Sequence, residues 1–276
     1  MPKASPSRTA APQPRVRRGY FECRYGQLHV HNAIPAGGGF EEGTPLLCLH
    51  PIPHSGRIFA RFLVATGAGR SVFAPDLPGF GDSDPPPGRA GVEEHAAAIG
   101  DFLDTMRLRQ VDLLGHRFGA LVAAELAATR PAQVRRLVLV SPPVPAAAGV
   151  SEPQPPAPAA DGSHLMEEWR RAAAYCGRDA APEVITSALA ERLRNGGQVA
   201  AAAAASAEHA YPLRSRLAPL TVPVLLVRLR EEVVANRGHA HDAPARARLV
   251  ELPDQGPSLF ETAPETAAQA VESFLR

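Results

Sequence analysis

The sequence predicts an α/β architecture: a mostly parallel eight-stranded sheet with helices on both faces and an inserted helical cap. Three observations carry this. Short apolar runs alternate with helix-length segments, the pattern of successive strand–helix units. Several runs lack in–out alternation, as expected of strands buried on both faces. The alternation is then interrupted at residues 142–158, where seven prolines exclude both a helix and a central strand.

Residues 1–18 hold Lys3, Arg8, Arg15, Arg17 and Arg18, four prolines and no acid, and read as a disordered basic tail. The pattern then becomes strand, strand, and alternating strand and helix. Residues 19–24 and 27–34 form a predicted hairpin around Tyr25-Gly26. Further strands are predicted at Leu46 to Leu49, Ser71 to Ala74, Val111 to Leu114, Leu137 to Val140, Val222 to Val227 and Leu249 to Leu252. Helices are predicted at 57–66, 92–106, 118–129 and 263–275, with cap helices near 164–176, 182–195 and 198–210. The core is therefore 19–145 with 214–276, and the proline-rich stem and cap occupy 146–213.

A chain of 276 residues, 45% hydrophobic, supports one large domain with a sizeable core. Its net charge of +1 gives no bulk electrostatic case for nucleic acid or an anionic membrane. No apolar run approaches the roughly 20 residues of a membrane helix. Cys23, Cys48 and Cys176 have no ligand-type spacing, which excludes a disulfide scaffold and fits a reducing, cytoplasmic setting. There is no GxGxxG after the first parallel strand and no Walker loop, so no cofactor is expected. The expected partners are a small molecule or another protein.

Four motifs follow one another in order. They are Leu49-His50 with Pro53 and Ser55; Asp76-Leu77-Pro78-Gly79-Phe80-Gly81-Asp82-Ser83-Asp84; Leu113-Leu114-Gly115-His116-Arg117-Phe118-Gly119; and Leu252-Pro253 through Ala263-Pro264-Glu265. Together, over roughly residues 20–276, they resemble the α/β-hydrolase superfamily. The first is similar to its oxyanion loop, the second to the loop after its fourth strand, the third to its nucleophile elbow, and the last to the segment carrying its catalytic histidine.

The resemblance implies a nucleophile, a base and an orienting acid. At the elbow centre this sequence has Arg117, which stays protonated and cannot attack a carbonyl. The histidine position holds Pro257, which has no proton to shuttle. For the acid, Glu232 matches best and Glu231 lies one register away. Pro51 replaces the family's glycine, but the backbone donors implied for the oxyanion are at Ile52 and Phe118, and both residues keep their N–H. Two partners suit Arg117: Glu232, in an internal bridge replacing the triad, or an anionic ligand held with the helix N-terminus.

Other polar residues carry weaker signals. His50 and His116 read as packing histidines, and His95 as solvent-facing. His54 reads as a surface loop histidine or as a base at the pocket mouth. His239, His241 and Asp242 read as a solvated loop, their spacing being short for a metal site. Asp76, Asp82 and Ser83 are expected to bond their own turn. Ser55, Ser141 and Cys176 have no base beside them. Met166, Trp169 and Tyr175 either line a cavity or pack the cap onto the core. The leading expectation is a non-hydrolytic member that binds a small anionic or acyl-type ligand, or a protein. The alternatives are triad-independent lyase, isomerase or cyclase chemistry, and a hydrolase with an unrecognised nucleophile.

Overall fold

In the computed structural model, residues 14–36, 42–143, 156–177, 180–194, 210–234 and 247–276 are described. They contain one eight-stranded sheet in the order β1-β2-β4-β3-β5-β6-β7-β8. Strands β1 (Val16–Cys23) and β2 (Gly26–Ala33) form an antiparallel hairpin, and β2 is antiparallel to β4 (Arg70–Pro75). From β4 onward the pairing is parallel, through β3 (Gly43–Leu49), β5 (Val111–His116), β6 (Val134–Val140), β7 (Val224–Leu229) and β8 (Arg248–Leu252).

The runs read as doubly buried are so. Leu46 to Leu49, Val111 to Leu114 and Leu137 to Val140 are buried because helices cover both faces. On one face lie α2 (Val92–Thr105), α3 (Phe118–Thr129) and α6 (Leu213–Leu217), packed around Ile99, Phe102, Phe118, Leu121 and Leu213. On the other lie a 3-10 turn (Gly56–Phe59), α1 (Ala60–Thr66), α8 (Leu259–Thr262) and α9 (Pro264–Leu275), around Phe59, Phe62, Phe260 and Val271. The remaining short helix is α7 (Arg230–Val234), directly after β7. Helix α3 has almost no polar face: Phe118 to Ala127 are all buried, as its position against the central strands demands.

The cap is the pair α4 (Ser163–Cys176) and α5 (Pro182–Arg194), which share a small apolar cluster of Ala172, Cys176 and Ala188. The expected helix at 198–210 and the stretch with His239, His241 and Asp242 lie outside the described residues, apart from Ala210. The basic tail is shorter than its charge implied. β1 begins at Val16, and Arg17 and Arg18 pair in register with Asn32 and His31. An edge strand with exposed arginines keeps its ladder although its composition resembles a tail.

Candidate functional site

The elbow forms as expected. Arg117 lies between β5 and α3 at φ 51°, ψ −117°, an uncommon backbone for a non-glycine residue. Gly115 and Gly119 permit it. A Cβ on Gly115 would collide with the Gly119 carbonyl, and one on Gly119 with the Leu49 carbonyl. The Arg117 N–H donates to Val140 C=O at 2.9 Å, so the turn is anchored to the end of β6. The Phe118 N–H opens α3 and has no intrahelical acceptor.

The Arg117 guanidinium approaches Glu231, not Glu232, at 3.6 Å. The Arg117 side chain is 35% exposed and that of Glu231 57%, so this is a loose surface pair, not an internal bridge. Glu232 is committed locally: its carboxylate accepts from the Leu229 N–H at 2.8 Å, and its carbonyl from Arg228 at 2.7 Å. The difference from the expected Arg117–Glu232 bridge is one residue of register in α7, where Glu232 folds back onto the end of its own strand. Pro257 is buried, and its carbonyl accepts from His116 Nε2 at 2.8 Å.

The loop after β3 turns through a cis Ile52–Pro53 peptide and a His54 N–H···O=C Pro51 bond of 3.1 Å. His54 is 2% exposed, not on the surface. Cap residue Tyr175 stacks on it, ring centroids 4.4 Å apart. Neither His54 ring nitrogen has a partner among the described residues. Burial, with the Arg192 and Arg117 guanidiniums adding positive charge nearby, holds its pKa well below the usual value, so the ring is neutral. It is thus a neutral imidazole under a lid, within the field of Arg117. The lid is fastened beside it: Ser258, which follows Pro257, donates to the Cys176 carbonyl at 3.2 Å. The last turn of α4 thereby closes over the elbow region.

His50 is structural, as expected. Its Nε2 accepts from the Leu77 N–H at 2.8 Å and its Nδ1 pairs with Pro51 C=O. His95 is 2% exposed, buried between Phe80 and Phe118, contrary to the solvent-facing reading. It lies on the apolar stripe Val92-Ala96-Ile99-Phe102 of α2, a spacing that reveals its burial in the sequence. Asp76 accepts from the Asp82 N–H at 2.9 Å and the Gly56 N–H at 2.7 Å, and Ser83 donates to Asp76 C=O. Asp82 also pairs with Arg194 of the cap. Ser55 donates to Glu191 of α5, and the buried Ser141 hydroxyl has no partner among the described residues. Burial pushes the Cys176 thiol up to about 12, which leaves it unreactive at neutral pH. Met166 is exposed and Trp169 half-buried, so of the cap trio only Tyr175 reaches the elbow region.

Two groups escaped the sequence reading. His29, His31 and Asp76 meet in the interior. Asp76 already takes 2.8 Å from His29 Nδ1 in addition to its two backbone donors, so the cluster braces the loop after β4. The alternation His29-x-His31 on β2 was its only signal. The second group is Glu261 of α8. Its carboxyl accepts from the Tyr175 hydroxyl at 3.1 Å, and burial beneath the cap, helped by the charge of Glu191, raises its pKa to about 8.

The comparisons agree with this geometry. Residues 44–175 match the family model described as the alpha/beta hydrolase fold. A stretch of 72 residues is 43% identical to a 2-hydroxy-6-oxo-2,4-heptadienoate hydrolase of Pseudomonas putida, covering 26% of this chain and 26% of that protein. A haloalkane dehalogenase of Psychrobacter cryohalolentis is 32% identical over 102 residues, 36% of this chain and 34% of that protein. The chain thus spans well under half the length of these curated relatives. The crystal structure of Cfl2 from Burkholderia cenocepacia superposes with a TM-score of 0.76 at 21% identity, covering 96% of this chain and all of that one. With the strand order, the glycine-flanked elbow and the family match over residues 44–175 in agreement, the chain has the α/β-hydrolase fold.

Proposed function

We propose that this chain uses the hydrolase elbow to bind a small anion and does not perform triad hydrolysis. The observation that carries this reading is Arg117 itself. It occupies the strained elbow position, about a third exposed, and among the described residues its only ion-pair partner is an exposed glutamate at 3.6 Å. An exposed pair of that length contributes about 0–1 kcal/mol, so a carboxylate or phosphate that makes bidentate contact displaces Glu231 at little cost. The start of α3 adds an N–H with no intrahelical acceptor and the positive end of its dipole. Tyr175, stacked on His54, keeps the ligand small.

The names of the relatives favour a second reading, hydrolysis with another nucleophile. The candidates do not support it. Ser55 is bonded to Glu191, the buried Ser141 hydroxyl has no base bonded to it among the described residues, and the Cys176 thiol is held protonated. A thermal-shift titration with acetate, malonate and phosphate decides between them. Wild type is expected to gain about 2.7 kcal/mol at a hundred times Kd, a shift of several degrees, and Arg117→Ala none. Equal shifts in both proteins, or p-nitrophenyl acetate turnover that survives Arg117→Ala, would overturn the reading.

A further inference from the structure

Between core and cap there is a cleft of about 270 Å³. It is lined by Arg57, Ile58, Ala60, Arg61, Val184, Ser187, Glu191 and Glu261. Its size approaches the lower end of small-molecule sites, about 300 Å³. Two of its charges cancel: Arg57 Nε lies 2.9 Å from Glu191 Oε1, and Glu191 Oε2 accepts from Ser55. Arg61 donates one guanidinium N–H to the Glu261 backbone carbonyl at 2.9 Å, and no carboxylate pairs with it among the described residues. Glu261 has one oxygen on the Tyr175 hydroxyl and no cation partner among the described residues. Ile58, Ala60 and Val184 supply an apolar wall.

We propose that this cleft binds a small organic acid: Arg61 holds its carboxylate, the Glu261 carboxyl donates to it, and its hydrocarbon part lies on Ile58, Ala60 and Val184. The chemistry selects this class. The groups facing Glu261 are Tyr175 from α4, Cys176 beside it, Glu191 from α5, Arg57 from the 3-10 turn and Arg61 from α1. With Glu261 protonated at neutral pH, the lining carries one uncompensated positive charge, and Glu261 has a hydroxyl proton to donate. Above pH 8 it ionises, repels a carboxylate, and removes the donor. An organic cation shows the reverse dependence.

The inference is independent of the elbow reading, so the titration is run on both wild type and Arg117→Ala. Butyrate is the probe and butylammonium the counter-probe, followed by calorimetry at pH 6.5 and 9.5. Butyrate affinity is expected to fall about thirty-fold between the two, the loss of protonated Glu261 with a pKa near 8. Glu261→Gln keeps a donor without titrating, so it retains binding and abolishes the pH dependence. Arg61→Ala weakens binding about ten-fold. Circular dichroism checks that each variant is folded, and Glu261→Gln, isosteric with the native side chain, serves if Arg61→Ala is not. No butyrate binding in either background, a pH dependence that persists in Glu261→Gln, or butylammonium binding more tightly than butyrate at pH 6.5 each overturns the proposal. Butyrate binding in wild type alone assigns it to the elbow and sinks the cleft.

Discussion

Gly119 sits so close to the end of β3 that an added Cβ would strike the Leu49 backbone, which has no side-chain freedom with which to yield. Gly119→Ala is therefore expected to cost about 3 kcal/mol or more, while Gly69→Ala, with open space around it, stays within about 0.5 kcal/mol. Urea midpoints measure both, and equal effects would mean that the elbow backbone relaxes. Residues constrained in this way were legible, because the Gly-x-x-x-Gly spacing around Arg117 states the geometry directly. So was the presence of an arginine at the elbow centre and of a proline after Gly256. The partner of Arg117 was not: choosing Glu231 over Glu232 requires the rotation of a single helical turn, which no periodicity encodes. Nor was the burial of His54, because the residue covering it, Tyr175, lies 121 positions away in another element.

At the scale of elements, the cap is attached by a polar seam more than by apolar packing. Its own cluster is only Ala172, Cys176 and Ala188 with partly buried neighbours. Its connections to the core are Ser55 and Arg57 to Glu191, Asp82 to Arg194, Ser258 to Cys176 C=O and Tyr175 to Glu261. Sequence showed the cap's existence through the proline-rich stem and its helices through their periodicity. Each seam contact joins distant positions, so the docking face was not legible. Tyr175→Ala removes both a ring stack and a hydrogen bond, about 1–2 kcal/mol in all. Amide exchange in the last turns of α4 is then expected to quicken about ten-fold while β5 is unchanged. An unchanged α4, or a uniform acceleration through the whole chain, would show that Tyr175 does not fasten the cap.

For the whole molecule, buried histidines dominate the response to acid. Burial lowers His31 and His116 to about 4 and His95 to about 3, from an ordinary 6.5. Each is neutral in the fold and protonated in the unfolded chain below pH 6.5. The stability they contribute is thus complete above 6.5 and is lost as pH falls towards 4. Glu261, raised to about 8, works in the opposite direction: the fold gains on acidification from 8 towards 4.5. As a single group it offsets at most one of the three protons. These four groups leave a balance near pH 5.5 of about two protons, or about 2–3 kcal/mol lost per pH unit, to which buried His54 adds in the same direction, against a total stability of about 5–15 kcal/mol. Urea unfolding at pH 7, 6 and 5 should show a midpoint that falls steeply between the last two. His95→Phe isolates one of the three contributions. The ring lies between Phe80 and Phe118, and its Nδ1 has no partner among the described residues, so phenylalanine fits the chemistry of the site. That variant should lose about 1.4 kcal/mol less per pH unit than wild type. An identical slope in the two proteins would show that His95 keeps its proton equilibrium on folding, and that the interior around α2 admits water.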